Sequence, residues 1–220
     1  MADQPIYIFD AYGTLFDLSA AARKVLAGHS GKAQLLAEVW RGRQLEYAWT
    51  DMALGRPTDF WDATVRGLDT ALVIAGLDKD VLLRERLLDA YGSLDAYQDA
   101  SDAVVRLSGL GARSLTYSNA SKTMLQKSLS ASGLDQVLQG AVSVDEFGVY
   151  KPDPAAYANI ARHLDIVTGE VFFVSSNPWD AAGAARAGFR AIWVNRQGIG
   201  YPFERDSLTA EIPSLAALPA

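Results

Sequence analysis

The chain opens on an apolar run, Ile6-Tyr7-Ile8-Phe9, that stops at Asp10 and turns at once through Gly13 and Thr14. An apolar run closed by turn residues is the pattern of a buried parallel strand, here over 5–10. From about Leu18 to Tyr97 apolar residues recur at three- and four-residue spacing, as in Leu35-Leu36, Val39-Trp40 and Leu45 through Trp49. That period predicts helices. The break Gly55-Arg56-Pro57-Thr58-Asp59 ends one of them, with Thr58 or Asp59 available to cap the next. Asp78 is placed to cap another over 81–91. After Tyr97 strand and helix signals alternate. Strands are expected over 114–118, 140–144, 171–174 and 191–194. Helices are expected over 99–107, 122–132, 154–164 and 181–187, the third with Pro154 in its first turn. The tail after Glu204 carries no pattern.

Strand–helix alternation implies a parallel sheet with helices on both faces. The helical stretch interrupts this after the first strand. The expected fold is therefore α/β, a Rossmann-like core of residues 1–16 and 98–220 with an inserted helical cap over 17–97. In such sheets ligands bind beyond the carboxyl ends of the strands. Four polar clusters follow predicted strands: Asp10 with Thr14, Ser118-Asn119, Lys151, and Ser175-Asn177-Asp180. Neighbouring strands would bring all four to one crevice.

Composition narrows the function classes. A chain of 220 residues can form one sizeable core, or a core with a smaller partner. A net charge of -6 argues against unaided nucleic-acid binding. An anionic small molecule stays open, because one Arg or Lys can dominate a pocket. With no cysteine, disulfides, a thiol nucleophile and thiolate metal sites are excluded. The start Met1-Ala2-Asp3-Gln4-Pro5 lacks a signal-peptide pattern, and no apolar run is long enough for a bilayer. A cytoplasmic location is expected, with no membrane partner. His29 and His163 have no ligand-spaced partners, so structural or surface roles are expected.

Taken singly, Asp10 reads as a strand-end cap, Lys151 as a solvated loop lysine, Asp180 as a cap for the helix after it and Arg41 as a surface arginine. Their convergence favours chemistry. An aspartate held by donors is a nucleophile, and a lysine beside it keeps it ionised.

The segments Phe9-Asp10-Ala11-Tyr12-Gly13-Thr14-Leu15, Arg41, Tyr117-Ser118-Asn119, Tyr150-Lys151-Pro152 and Ser175-Ser176-Asn177-Pro178-Trp179-Asp180 resemble the L-2-haloacid dehalogenases of the haloacid dehalogenase superfamily. The resemblance covers nearly the whole chain. Most of that superfamily are magnesium-dependent phosphatases, with a second aspartate two residues after the first and acidic metal ligands in the last motif. Here Tyr12 and Ser175 stand at those places. No cofactor and no metal are expected, and a halide leaving group needs no proton.

The resemblance implies that Asp10 attacks the halogen-bearing carbon, and that water then hydrolyses the ester with net inversion. It makes Asp180 the base, with Lys151 orienting Asp10. Thr14 and Ser175 donate hydrogen bonds to Asp10, and Asn177 orients Asp180 or the water. Ser118, nearby backbone N–H groups and Ala11 serve the substrate carboxylate, while Arg41 and Asn119 receive the halide. Tyr12, Leu45, Phe60 and Trp179 line the apolar pocket. Gly42 stands where many relatives carry a larger polar residue, so specificity is not carried over. The resemblance also implies a homodimer and a small 2-haloacid substrate. The rival readings are a magnesium-dependent phosphatase and a non-catalytic binding protein of the same fold.

Overall fold

A computed structural model describes residues 4–27, 30–56 and 58–219. Met1–Asp3, His29 and Pro57, singled out above, lie outside them. Among the described residues, six parallel strands form one sheet in the order β3-β2-β1-β4-β5-β6. They are β1 (Ile6–Phe9), β2 (Arg113–Ser118), β3 (Gly140–Ser143), β4 (Val171–Ser175), β5 (Arg190–Val194) and β6 (Ala210–Ile212). The middle strands are buried along nearly their whole length, as parallel strands covered on both faces must be. Phe9 stands in register with Thr116 on one side and Val174 on the other. The chain builds outward from β1 to β3 and then returns to the opposite side of β1. Asp10 therefore leaves the central strand at the point where strand order reverses, where such sheets open a crevice.

Among the described residues, four helices fall between Asp17 and Tyr97: α1 (Leu18–Val25), α2 (Ser30–Ala53), α3 (Phe60–Ile74) and α4 (Val81–Tyr91). The chain leaves and re-enters at one place. Asp17 N donates to Asp95 O at 3.1 Å, and Tyr97 N to Leu15 O at 2.8 Å. Within this insertion α2 and α3 press closely together. A Cβ on Gly67 would stand 2.9 Å from Gln44 N and 3.1 Å from Trp40 O, so that crossing requires glycine. The remaining helices, α5 (Gln98–Gly109), α6 (Lys122–Ser132), α7 (Pro154–Leu164) and α8 (Pro178–Arg186), flank the sheet.

Three local expectations differ. Asp80, not Asp78, caps α4, accepting from Leu83 N at 2.9 Å. A cap must immediately precede the first helical residue, and Asp78 lies too early. α8 begins at Pro178 rather than 181, because Pro fits the first helical position. Asp180 thus lies inside the first turn and is not the cap. The tail contributes β6, whose three residues are too short to show a period. Of the two candidate caps for α3, Asp59 is the one used, accepting from Trp61 N at 2.8 Å.

Candidate active site

Asp10 is 4% exposed. Its Oδ1 accepts from Lys151 Nζ at 2.9 Å. Its Oδ2 accepts from Thr14 Oγ1 and from Asn177 Nδ2, each at 2.8 Å. The turn after β1 makes the Thr14 contact possible: Gly13 has φ +91°, a conformation open to glycine, and swings the chain back over the strand end. Thr14 Oγ1 in turn accepts from Ser176 N at 2.8 Å, which leaves its proton to Asp10. Three donors on one carboxylate fix its orientation at the strand end.

Lys151 is wholly buried. Its three N–H bonds go to Asp10, to Asp180 Oδ2 at 2.8 Å and to Tyr117 O at 3.0 Å. Burial disfavours the ammonium, but attraction to Asp10 and Asp180 outweighs it and holds the Lys151 pKa above the ordinary lysine value. Its backbone is clamped as well. Asn119 Oδ1 accepts from Lys151 N at 2.8 Å, and Asn119 Nδ2 donates to Lys151 O at 2.9 Å. Trp49 Nε1, from α2, donates to the same carbonyl at 3.1 Å.

Asp180 is also fully buried, in the first turn of α8. Tyr157 OH, from α7, donates to its Oδ1 at 2.7 Å. Burial pushes the Asp180 carboxyl above the usual range, Lys151 opposes this and the Asp10 charge adds to it. A carboxylate of raised pKa is a stronger base. Two aspartates thus share one ammonium. That donor set does not fit magnesium, which takes several oxygen ligands and gains nothing from a cation in their midst.

From the insertion, Arg41 lines a cavity of about 430 Å³ together with Gly13, Asn177 and Arg196. Tyr12 is buried, shares a hydrogen bond with Ser128 Oγ at 3.2 Å and stacks on Tyr91 at 5.9 Å. Burial raises its phenol pKa further, so it carries no negative charge. Leu45 and Phe60 are buried, Phe60 meeting Tyr150 edge-on at 5.7 Å. Trp179 is half-buried and edge-on to Trp49 at 5.3 Å.

A sequence model of the haloacid dehalogenase-like hydrolases matches residues 5–188. The chain belongs to that family. It is 41% identical over 212 residues to (S)-2-haloacid dehalogenase 1 of Pseudomonas sp. (strain CBS-3), covering 96% of this chain and 93% of that one. A crystal structure of a dehalogenase matches with a TM-score of 0.92 at 38% identity, over 98% of this chain and 96% of that one. The L-2-haloacid dehalogenase from Xanthobacter autotrophicus, solved with chloropropionic acid covalently bound, matches with a TM-score of 0.83 at 30% identity, over 97% and 96%.

Two contacts in this haloacid dehalogenase-like hydrolase differ from the sequence expectation. Ser175 does not reach Asp10. Its hydroxyl accepts from Asn177 N at 3.1 Å, closing the turn two residues on. Asn177 therefore takes the place at Asp10, and the carboxyl oxygens of Asp180 are met by Lys151 and Tyr157 instead. Asn119 is occupied with the Lys151 backbone. Ser118 is buried at the end of β2, where its hydroxyl accepts from Ala120 N at 3.1 Å and keeps its own proton to give. Ala11 is buried, its carbonyl accepting from Leu15 N at 2.8 Å in the turn. Tyr157 and Gln44 escaped the sequence reading. Each sits on the apolar stripe of a helix, where a polar tip gives no separate signal.

Proposed function

We propose that this chain hydrolyses short (S)-2-haloacids to (R)-2-hydroxyacids and halide, through an ester on Asp10 and without a metal. The observation that carries this reading is the Lys151 ammonium, bonded to both Asp10 and Asp180 in a site where Tyr12 replaces a second acid. An Asp10 oxygen attacks C2 opposite the halogen. The C–O bond forms as the C–halogen bond breaks, and halide leaves with the electron pair. Asp180 then takes a proton from water, which attacks the Asp10 carbonyl carbon and frees the hydroxyacid. C2 is inverted once, because the second attack falls on the enzyme's carbon.

In this reading residues 17–97 form a cap over the core of 1–16 and 98–220, supported by the common exit and re-entry point at Asp17 and Tyr97. Ser118 and the Ala11 backbone take the substrate carboxylate. Arg41 takes the halide together with Asn119, whose Nδ2 keeps a second proton beyond the one given to Lys151 O. Tyr12, Leu45, Phe60 and Trp179 form the apolar wall. The relative from strain CBS-3 carries (S)-2-haloacid dehalogenase in its name, which fits this assignment.

The test is halide release from L- and D-2-chloropropionate with chelator and no added magnesium. Release from the L-enantiomer alone, with D-lactate as product, is expected. Release from neither, or release that needs magnesium, overturns the reading.

Asp180→Asn separates the two steps. The variant is expected to release one halide per site and then stop, with the ester visible in the intact-protein mass. Because burial raises the Asp180 pKa, the acid limb of ester hydrolysis in the wild type is expected above the ordinary aspartate value of 3.8. A variant slowed equally in both steps removes Asp180 from the base role.

The reading includes a cytoplasmic homodimer. Leu54, Val73, Ile74, Val81 and Leu82 are exposed apolar side chains that a second copy can cover. Light scattering is expected to give twice the chain mass, and a monomer mass discards the dimer.

A further inference from the structure

A guanidinium on a flexible stem must be held if its charge is to act at one place. Gln44, one helical turn beyond Arg41 on α2, supplies the hold. Its Oε1 accepts from Arg41 Nη1 at 2.8 Å. Gln44 is completely buried, and its amide is fixed from the other end. Thr64 Oγ1 gives its own proton to Phe60 O at 2.8 Å and accepts from Gln44 Nε2 at 2.5 Å. That direction of donation obliges Oε1 to face Arg41. Tyr91 OH lies 3.0 Å from Nε2 and 3.1 Å from Oε1, and its ring stacks on Tyr12 and leans on Trp40 at 4.7 Å. The close approach of α3 at Gly67 holds the whole set against the α2 backbone.

The geometry points to Gln44 as a positioning residue for carbon–halogen cleavage, an inference that rests on Arg41 receiving the halide. It is a neutral acceptor. It aims the guanidinium while leaving the charge whole for the departing anion. A glutamate there would also accept from Arg41 but would pair with its charge, and an anion would then meet a neutralised site. An apolar residue would leave the charge whole but unaimed.

The experiment uses the full chain carrying Gln44→Met or Gln44→Glu, with Gln44→Met also combined with Arg41→Lys. Single turnovers of L-2-chloropropionate follow halide release and ester hydrolysis separately. Gln44→Met is expected to slow halide release by roughly 10- to 100-fold, the scale of a misplaced catalytic group. It is expected to leave ester hydrolysis unchanged and to add nothing to the loss from Arg41→Lys, since residues acting as one unit are not additive. Equal slowing of both steps, an undiminished additional loss in the double variant, or unchanged halide release overturns the proposal. Should Gln44→Met not fold, Gln44→Glu carries the test. Its halide release is expected to recover relative to wild type as falling pH protonates the new carboxyl, and a pH-independent ratio overturns the proposal. Wild-type protein that releases no halide overturns the Arg41 reading itself, an outcome distinct from the others.

Discussion

Asp10→Asn is expected to end halide release and product formation together. An amide nitrogen has no available lone pair, so no ester forms; removing a covalent nucleophile costs on the order of 10⁶ in kcat in a well-measured hydrolase. The fold should not suffer. The wild-type cluster holds two carboxylates against one ammonium, all nearly out of solvent. The substitution leaves one carboxylate on Lys151, so charge is balanced rather than lost. The new side chain keeps the shape of the old and one oxygen to accept from its donors. Melting temperature is therefore expected within a few degrees of wild type. After incubation with substrate the wild type should show an adduct by mass and the variant none. A variant confirmed by mass to retain its asparagine, yet still turning over, rules out the ester mechanism.

The charged cluster was legible in the sequence because of where its members sit. Asp10, Lys151 and Asp180 follow strands that show as apolar runs between turn signals, and a parallel sheet brings such ends together whatever the loops do. What those residues touch was much less legible. The partner of Ser175 depends on a turn that closes within two residues, and no spacing rule tells whether the hydroxyl folds back or reaches across. Tyr157 is an ordinary apolar position of α7 until α8 packs against it. Glycine at 183 leaves the room, since a Cβ there would run into the Tyr157 ring. Gln44 and Tyr91 are 47 positions apart and meet only when α2 and α4 are assembled. Periodicity predicts that these helices are buried on one face. It does not say which polar tips within that face find each other. The sheet side of the site was thus foreseeable from element order, and the insertion's polar framework was not.

Lys151→Met is expected to damage catalysis and folding at once, and the pH dependence separates the two. Methionine fills a similar volume but leaves Asp10 and Asp180 as buried neighbours with no cation between them. Breaking a buried pair by removing one partner costs about 3–5 kcal/mol, because the remaining charge is uncompensated. Two carboxylates in one site cannot both stay ionised cheaply, so one pKa rises sharply. The folded variant then binds a proton more tightly than its unfolded chain does. Its stability is greatest below the ordinary carboxylate pKa and falls as pH rises through the raised value. The wild type has the same sign at this residue but a much higher pH window. The Lys151 pKa lies above its ordinary 10.5, so that contribution is complete at neutral pH and is lost only as pH rises through the folded value. The gap in melting temperature between the two proteins should therefore be wide at pH 7 and narrow at pH 5. Activity should not return with stability, since an Asp10 that has regained a proton is no nucleophile. A gap that stays constant across this range would show that Lys151 stabilises the fold by packing alone, and its role as the shared counter-ion of Asp10 and Asp180 would have to be abandoned.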